Sequence, residues 1–145
     1  MAGLTGKILS VVLVASGLAA GGAMYYLQVY GFYQNVALQP GRDVMLVPLG
    51  GAAPQPIAYS DFQAIDADSS PIRYRACFRT DVTPEALAQL FEMSDKTEPR
   101  NAPGWFDCFD AAALGQELAA GQAQSFLSAK NISYGVDRIV AVTQD

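Results

Sequence analysis

Two cysteines, Cys77 and Cys108, are the residues in this sequence whose type could support chemistry. They are the only thiols in 145 residues, and the chain contains no histidine. Without histidine the commonest general base and the usual zinc ligand are missing, which excludes most hydrolase and metalloenzyme mechanisms. In an oxidising compartment, two such cysteines most simply form a structural disulfide. We therefore predict a disulfide and expect no enzyme activity, no cofactor and no metal site.

A redox-active or metal-delivering thiol pair is the alternative for the same cysteines. Arg73, Arg75 and Arg79 alternate with Cys77 on one face of a predicted strand. Neighbouring cations lower a thiol pKa, which favours reactivity. Against this alternative, about thirty residues separate the cysteines, whereas redox motifs use a CxxC spacing. A disulfide closing that loop would stabilise a small domain by roughly 3 to 4 kcal/mol.

The three arginines are also a candidate partner-binding face, together with Trp105. They either form local ion pairs with Asp107 and Asp110, which flank Cys108, or bind an acidic partner or lipid headgroups. Trp105 next to a cystine is either a core residue or an exposed interface anchor. The formal net charge of −5 argues against nucleic acid as a partner.

An uncharged tract near the start of the chain is the dominant feature of the sequence. No Asp, Glu, Lys or Arg occurs between Lys7 and Arg42. Ile8 to Val29 is mostly apolar, and a helix of that length spans about 33 Å, enough to cross a hydrocarbon core of about 30 Å. We predict one transmembrane helix over residues 8–30. Aromatic residues typical of a membrane interface follow its far end: Tyr25, Tyr26, Tyr30, Phe32 and Tyr33.

A cleaved secretory signal is the alternative for this tract. Lys7 would be the n-region, Ile8 to Ala15 the apolar h-region, and Gly21-Gly22-Ala23 the cleavage site. The apolar character continues past that site into the aromatic residues, which favours an uncleaved anchor. Lys7 and the terminal amine give a weak positive-inside signal. We therefore predict a bacterial inner-membrane protein with residues 1–7 in the cytoplasm and the C-terminal part in the periplasm.

One stripe of the predicted transmembrane helix combines small and polar residues. Small residues let another helix backbone approach closely, and polar ones can hydrogen-bond where lipid offers no partner. Gly and Ala are also simply common in membrane helices, which is the alternative explanation. We predict that the stripe packs against a partner helix. Its members recur at steps of four and three: Ser10, Val14, Gly17, Gly21, Met24 and Gln28.

The remainder of the chain predicts a tether and one α+β domain. Residues 31–60 are rich in Pro, Gly and Gln and contain one apolar run, Val44 to Leu49. This composition predicts a tether with one short strand. Residues 61–145 predict a domain of three to four strands and two helices. Ile72 to Thr80 alternates as a half-buried strand, and Ser94 to Gly104 has the composition of a surface loop.

Helix and strand signals define the rest of that domain. Thr83 is a predicted N-cap for a helix running to about Met93, with Leu87, Leu90 and Phe91 facing inward. Asp110 caps a second predicted helix, Ala111 to Ala120, which Gly121 ends. Two strands follow, Ala123 to Ala129 and Val136 to Thr143, joined by a turn over residues 130–135.

Three segments of the chain have distinctive sequences: Ile65 to Phe78 (IDADSSPIRYRACF), Glu98 to Ala111 (EPRNAPGWFDCFDA) and Asn131 to Val142 (NISYGVDRIVAV). In these segments the chain resembles an uncharacterised family of small single-pass membrane proteins from alphaproteobacteria. The opening KILSVV and the segment YYLQVYGFY look like that family's membrane anchor. The resemblance implies an organism group and an architecture, with no catalytic residues to carry over. It also implies that the chain continues beyond Asp145.

The leading functional hypothesis is a non-enzymatic accessory or assembly subunit. Its membrane helix would pack on an integral membrane protein, and its disulfide-bonded periplasmic domain would cover or stabilise that partner. A respiratory or photosynthetic inner-membrane complex is the expected partner, an association that rests on architecture and organism group. The alternative is a periplasmic thiol-redox or metal-delivery factor that acts through Cys77 and Cys108.

Overall fold

The structure is a computed structural model that describes residues 2–95 and 97–144. Three residues lie outside the described part of the chain: Met1, Lys96 and Asp145. Met1 and Asp145 are the ends of the two terminal segments predicted above, and Lys96 belongs to the predicted loop. The chain divides into two compact units, Met1–Tyr33 and Gln34–Asp145. The mixture of helices and strands predicted from the sequence is confirmed.

The first unit is one helix. Helix α1 (Ala2–Tyr26) continues into a π-helical segment, Leu27–Gly31, in which the Phe32 N–H donates to the Leu27 carbonyl at 3.0 Å. The predicted N-terminal tail is therefore helical from Ala2. The segment Gly3–Gly31 is long and apolar enough to cross a membrane. Its most apolar 18-residue window has a mean hydropathy of 1.9, and no residue of that window is buried. A signal sequence near an N-terminus has the same properties.

The described residues after Gly31 form strands and two helices. In chain order these are β1 (Tyr33–Asn35), β2 (Met45–Leu46), β3 (Gln55–Pro56), β4 (Ser60–Ala67), β5 (Arg75–Arg79), α2 (Pro84–Ala88), α3 (Ala111–Ala120), β6 (Ala123–Ser133) and β7 (Val136–Thr143). The strands form three separate sheets in the orders β1-β4-β5, β2-β3 and β6-β7. The pairs β2–β3, β4–β5 and β6–β7 are antiparallel.

The β6–β7 hairpin is longer than the sequence predicts. Strand β7 has the predicted bounds, but β6 continues beyond Ala129 to Ser133, which pairs with Val136. The turn is reduced to Tyr134 and Gly135, and Gly135 adopts a φ of 71°, which favours glycine. Asn131 also has a positive φ, and its N–H donates to an Asp137 carboxylate oxygen at 2.8 Å. This bond stabilises the irregular pairing near the tip of the hairpin.

The β4–β5 pair positions the first cysteine. Cys77 lies opposite Gln63, and the register shifts between Ser60 and Gln63 around Asp61, whose φ is 51°. Strand β4 has no counterpart in the predictions above. Strand β5 is shorter than predicted, since it begins at Arg75 and leaves Ile72 outside it with 47% of its surface exposed.

Helix α2 begins as predicted and ends early. Thr83 Oγ1 accepts the Ala86 N–H, and Pro84 occupies the first turn. The helix ends at Ala88 because the following residues bond to another segment of the chain. The Leu90 carbonyl accepts the Leu49 N–H at 2.9 Å. Leu87 is buried as predicted, whereas Leu90 is 61% exposed.

Helix α3 has the predicted bounds and the predicted caps. One Asp110 carboxylate oxygen accepts the Ala112 and Ala113 N–H groups at 2.9 and 3.0 Å. Gly121 ends the helix with a φ of 74°. No residue of α3 is buried. The helix therefore lies on the surface of the domain and contributes little to its core.

The core lies where three chain segments meet. Val47 donates to the Leu127 carbonyl, Leu127 to the Glu92 carbonyl and Glu92 to the Val47 carbonyl, at 2.8 to 2.9 Å. This closed set of backbone bonds joins the end of β2, the segment after α2 and the middle of β6. The core side chains beside it are Val44, Leu46, Ile57, Leu87, Phe91, Phe126 and Val142.

Candidate partner-binding surfaces and the disulfide

The predicted helix-packing stripe has an open centre at its two glycines. A Cβ atom built on Gly17 or Gly21 would meet nothing within 4 Å. The missing side chains leave a flat area that another helix backbone can approach. Two other members of the stripe, Ser10 and Val14, line a shallow groove toward Leu18. The helix thus has a surface of suitable shape for helix packing, and the packing itself stays a prediction.

Two polar members of the stripe bond within their own helix. Ser10 Oγ donates to the Gly6 carbonyl at 3.1 Å, and Gln28 Nε2 donates to Met24 Sδ at 3.6 Å. A serine hydroxyl that donates to its own helix keeps oxygen lone pairs that accept further bonds. Hydrogen bonding from these side chains to a second helix is a prediction that the helix geometry permits.

The aromatic residues at the end of α1 are exposed. Tyr25 and Tyr26 are 64% and 61% exposed, and the rings of Tyr26 and Tyr30 stack with centroids 5.9 Å apart. Phe32 is 40% exposed, and Tyr33, at the start of β1, is half-buried. Exposed aromatic rings in this number are what a membrane-interface position requires.

The predicted disulfide between Cys77 and Cys108 is confirmed. The two Cα atoms are 6.2 Å apart and the cysteines are 31 positions apart in sequence. The bond joins the middle of β5 to the loop before α3. Its two ends differ in environment, because Cys77 is half-buried in the sheet whereas Cys108 is exposed.

The predicted arginine face is divided in the structure. Arg73 precedes β5, so only Arg75 and Arg79 share the strand with Cys77. Arg75 Nε donates to the Arg100 carbonyl at 2.7 Å, which ties β5 to the loop before α3. The Arg75 guanidinium also lies 5.8 Å from the centre of the Phe109 ring. Arg75 is therefore held against the protein.

Arg79 is the more accessible of these two arginines. It lies 3.5 Å from an Asp61 carboxylate oxygen, and both side chains are largely exposed. An ion pair this exposed contributes little to stability. Asp110, one of the predicted ion-pair partners, uses its carboxylate to cap α3. Trp105 is 38% exposed and packs edge-on against buried Phe106, so it lies at the surface next to Cys108.

Among residues 2–95 and 97–144, no group of three or more cysteine or acidic side chains lies close enough together to hold a metal ion.

A family model described as a family of unknown function, DUF6446, matches residues 44–145. The chain belongs to this family. Comparisons of the chain with curated proteins and with solved structures found no match. The DUF6446 match covers both cysteines and the arginines, and α1 lies outside it.

A half-buried polar pair in the DUF6446 domain, Tyr74 and Arg138, has no counterpart in the predictions from sequence. The Arg138 guanidinium lies 4.0 Å from the centre of the Tyr74 ring. Arg138 Nε and Gln124 Oε1 are buried, and neither has a hydrogen-bond partner among the described residues. Burial raises the pKa of Tyr74 above its ordinary value of 10.0, and the Arg138 charge opposes that shift. The negative charges of Asp43 and Asp66 raise the pKa of Tyr74 further.

Because the pKa of Tyr74 is raised, we predict that the folded domain loses free energy of unfolding at high pH. Because the pKa of Tyr74 is higher in the folded domain, the unfolded chain loses that proton first. The contribution of Tyr74 is complete below about pH 10 and is lost as the pH rises through the raised pKa of the folded domain. Urea unfolding at about pH 8 and about pH 11 measures the decrease in the free energy of unfolding. Tyr74→Phe is the control, and its fall should be smaller because phenylalanine carries no ionisable hydroxyl. An equal fall in both proteins would contradict this assignment.

The tip of the β6–β7 hairpin is a second feature absent from the predictions. Tyr134 is fully exposed and Ile132 is 39% exposed. The turn signal was visible in the sequence at Gly135, but the exposure of Tyr134 depends on how far β6 and β7 extend. The DUF6446 domain thus presents an aromatic side chain at the end of a hydrogen-bonded hairpin.

Proposed function

We propose that this chain is a non-enzymatic, single-pass membrane accessory or assembly subunit that binds and stabilises a larger membrane complex. The observation that supports it is the continuous apolar surface of α1, none of whose membrane-spanning window is buried. A lone helix of this composition needs lipid or another helix around it. The open surface at Gly17 and Gly21 would let a second helix backbone approach closely.

We also propose an orientation of the chain in the membrane and a class of partner complex. The domain after α1 lies in the periplasm and the N-terminus in the cytoplasm, supported by Lys7 before the apolar tract. The resemblance to alphaproteobacterial membrane proteins favours a respiratory or photosynthetic inner-membrane complex as the partner. Contacts would come from α1 and from the exposed surface around Arg79 and Trp105.

Glycine-to-leucine substitutions test the helix-packing surface. Gly17→Leu and Gly21→Leu should each lower recovery of the partner complex about tenfold, because a leucine side chain holds the backbones apart and costs about 1 to 2 kcal/mol. The measurement is affinity purification from native membranes in mild detergent, followed by quantitative mass spectrometry of the companions.

Gly22→Leu is the matched control for this experiment. Gly22 is also open to its surroundings, and it lies one residue around the helix from Gly21, off the predicted stripe. The control adds the same apolar volume and should leave recovery unchanged. Unchanged recovery with both Gly17→Leu and Gly21→Leu, or an equal loss with all three variants, would overturn the proposed packing surface.

The intact mass of the mature protein separates an anchor from a cleaved signal. An anchored protein retains residues 8–30, whereas cleavage after the Gly21-Gly22-Ala23 segment would give a mature chain beginning near Met24. A truncated mass in membrane and periplasmic fractions would overturn the anchor and, with it, the accessory-subunit proposal.

A thiol-redox or metal-delivery factor acting through Cys77 and Cys108 is the second candidate. The exposure of Cys108 is the observation that favours it. Such a factor would turn over a thiol or metal substrate, and a Cys77→Ser/Cys108→Ser variant would lose that turnover while remaining folded. Full complementation by this variant in cells would exclude the candidate.

A further inference from the structure

The two cysteines of the disulfide differ in their exposure to solvent. Cys108 is exposed, and Asp107 beside it is exposed as well. Cys77 is half-buried between its strand neighbours in β5. A thiolate attacks a disulfide at whichever sulfur it can reach. Because Cys108 is the more exposed of the two cysteines, Cys108 Sγ is the expected point of attack and Cys77 Sγ the expected leaving group.

Two cationic residues flank Cys77 along β5. Arg75 and Arg79 are two residues before and after Cys77, and alternate residues of a strand point to the same face. Nearby positive charges stabilise a thiolate relative to a thiol. A thiol of lower pKa leaves faster in disulfide exchange. The sequence around Cys77 thus favours breaking the bond from the Cys108 side.

The disulfide joins β5 to a part of the chain that β5 otherwise holds through Arg75, which donates to the Arg100 carbonyl and lies over the Phe109 ring. We define the arm as residues 98–121, the loop that contains Cys108 together with α3. Of its side chains, Phe106 is the one apolar group that is buried, and α3 buries none. The arm's loop surrounds an open depression of about 410 Å³. None of the seven core residues, Phe126 among them, belongs to the arm.

We propose that the Cys77–Cys108 disulfide is a reversible fastening, reduced by a small dithiol protein that attacks Cys108, and that its reduction releases the arm from an intact core. The inference goes beyond the accessory role proposed above. The disulfide here is the substrate of an exchange reaction and the arm is the segment that responds. The partner is a protein with two thiols close enough to form its own disulfide.

The exchange proceeds in two displacements. The reductant's thiolate forms a bond to Cys108 Sγ while the Cys77–Cys108 bond breaks, and Cys77 leaves with the electron pair as a thiolate. The reductant's second thiol loses its proton to water and attacks the mixed disulfide, releasing Cys108 as a thiolate. Two electrons pass to this chain, the reductant becomes a disulfide, and the released thiolates take up protons from water.

Trapping of the mixed disulfide tests the site of attack. The full chain in mild detergent is mixed with reduced thioredoxin whose resolving cysteine is replaced by serine, and the adduct is mapped by peptide mass. We expect the adduct on Cys108, formed faster than the chain unfolds. An adduct on Cys77, or an adduct that forms only in denaturant, would overturn the proposal.

Trypsin cleavage tests the release of the arm, because the chain provides its own control site. Arg100 lies in the arm, whereas Lys130 lies in β6, which contributes Phe126 to the core. On reduction, cleavage after Arg100 should accelerate at least about tenfold, as expected when a local segment opens. Cleavage after Lys130 should keep its rate. Equal acceleration at both sites would show global unfolding, and no acceleration at Arg100 would show that the arm stays in place.

A pair of variants tests the role of the cations and separates it from the exposed ion pair. Arg79→Gln removes a charge near Cys77 and should slow exchange about threefold, an effect that high salt should abolish. Asp61→Asn breaks the same ion pair but keeps the arginine, and asparagine tolerates the positive φ at that position. Exchange in Asp61→Asn should be no slower than in the unmodified chain. Equal slowing in both variants would assign the effect to the ion pair and remove the electrostatic part of the proposal.

Discussion

Replacing Phe126 with alanine is expected to lower the free energy of unfolding of the domain by about 3 to 5 kcal/mol. The Phe126 side chain is fully buried, and it packs with Leu46, Leu87 and Phe91 where the three segments of the core meet. Truncation removes its transfer free energy and leaves a cavity that the backbone bonds around Val47, Glu92 and Leu127 prevent from collapsing. Since domains of this kind are stable by about 5 to 15 kcal/mol, the loss is a large fraction of the total.

Denaturant titration of the full chain in mild detergent, followed by near-ultraviolet circular dichroism, measures this loss. Tyr134→Ala is the matched control because it also truncates an aromatic residue of the β6–β7 hairpin, at a position that is fully exposed. Its effect should lie within about 0.5 kcal/mol of zero. If Phe126→Ala and Tyr134→Ala have equal effects, Phe126 does not lie in the core described above.

The elements that the sequence predicts correctly are those whose signals are local. Asp110 and Gly121 cap α3 at both ends, and the structure retains both bounds. Strand β7 is rich in β-branched residues and has the predicted bounds as well. In these cases the backbone preference and the capping side chains lie within the element itself, so no distant contact is required to define it.

The elements that the sequence predicts poorly depend on distant contacts. Strand β4 contains Ser, Asp, Gln and Ala, and the irregular pairing around Asp61 interrupts its alternation, so neither composition nor period reveals it. Helix α2 has a helical pattern through Phe91, yet the helix ends at Ala88. The Leu90 carbonyl accepts the Leu49 N–H, and Glu92 bonds to Val47 and to Leu127 of β6. Tertiary hydrogen bonding overrides local preference at both places.

The candidate sites show the same division. The Cys77–Cys108 bond follows from the number of thiols, and the structure confirms it. The exposure of Cys108 and the bond from Arg75 to the Arg100 carbonyl depend on the path of the loop, which no local pattern defines. Tyr74 and Arg138 are far apart in sequence and meet only because β7 packs near the start of β5.

Removing the disulfide by Cys77→Ser/Cys108→Ser is the second substitution with a large expected effect. A bond across 31 positions restricts the unfolded chain, and its loss lowers the free energy of unfolding by at most about 3 to 4 kcal/mol in the chain-entropy model. That full amount applies only if the native state is otherwise unchanged. Because the arm contributes no side chain to the core cluster around Phe126, the native state also gains freedom when the bond is lost, and the core should lose less than the full amount.

Hydrogen exchange of individual amides distinguishes these two contributions. Amides of α3 should lose their protection in the double variant, whereas amides near Phe126 should lose less than about 3 to 4 kcal/mol. Cys108→Ser alone is the control, because the bond is absent in either variant, and it should match the double variant to within about 0.5 kcal/mol. An equal loss of protection in α3 and in the core would mean that the disulfide stabilises the whole domain. In that case the arm would be an integral part of the fold, because it would unfold together with the core.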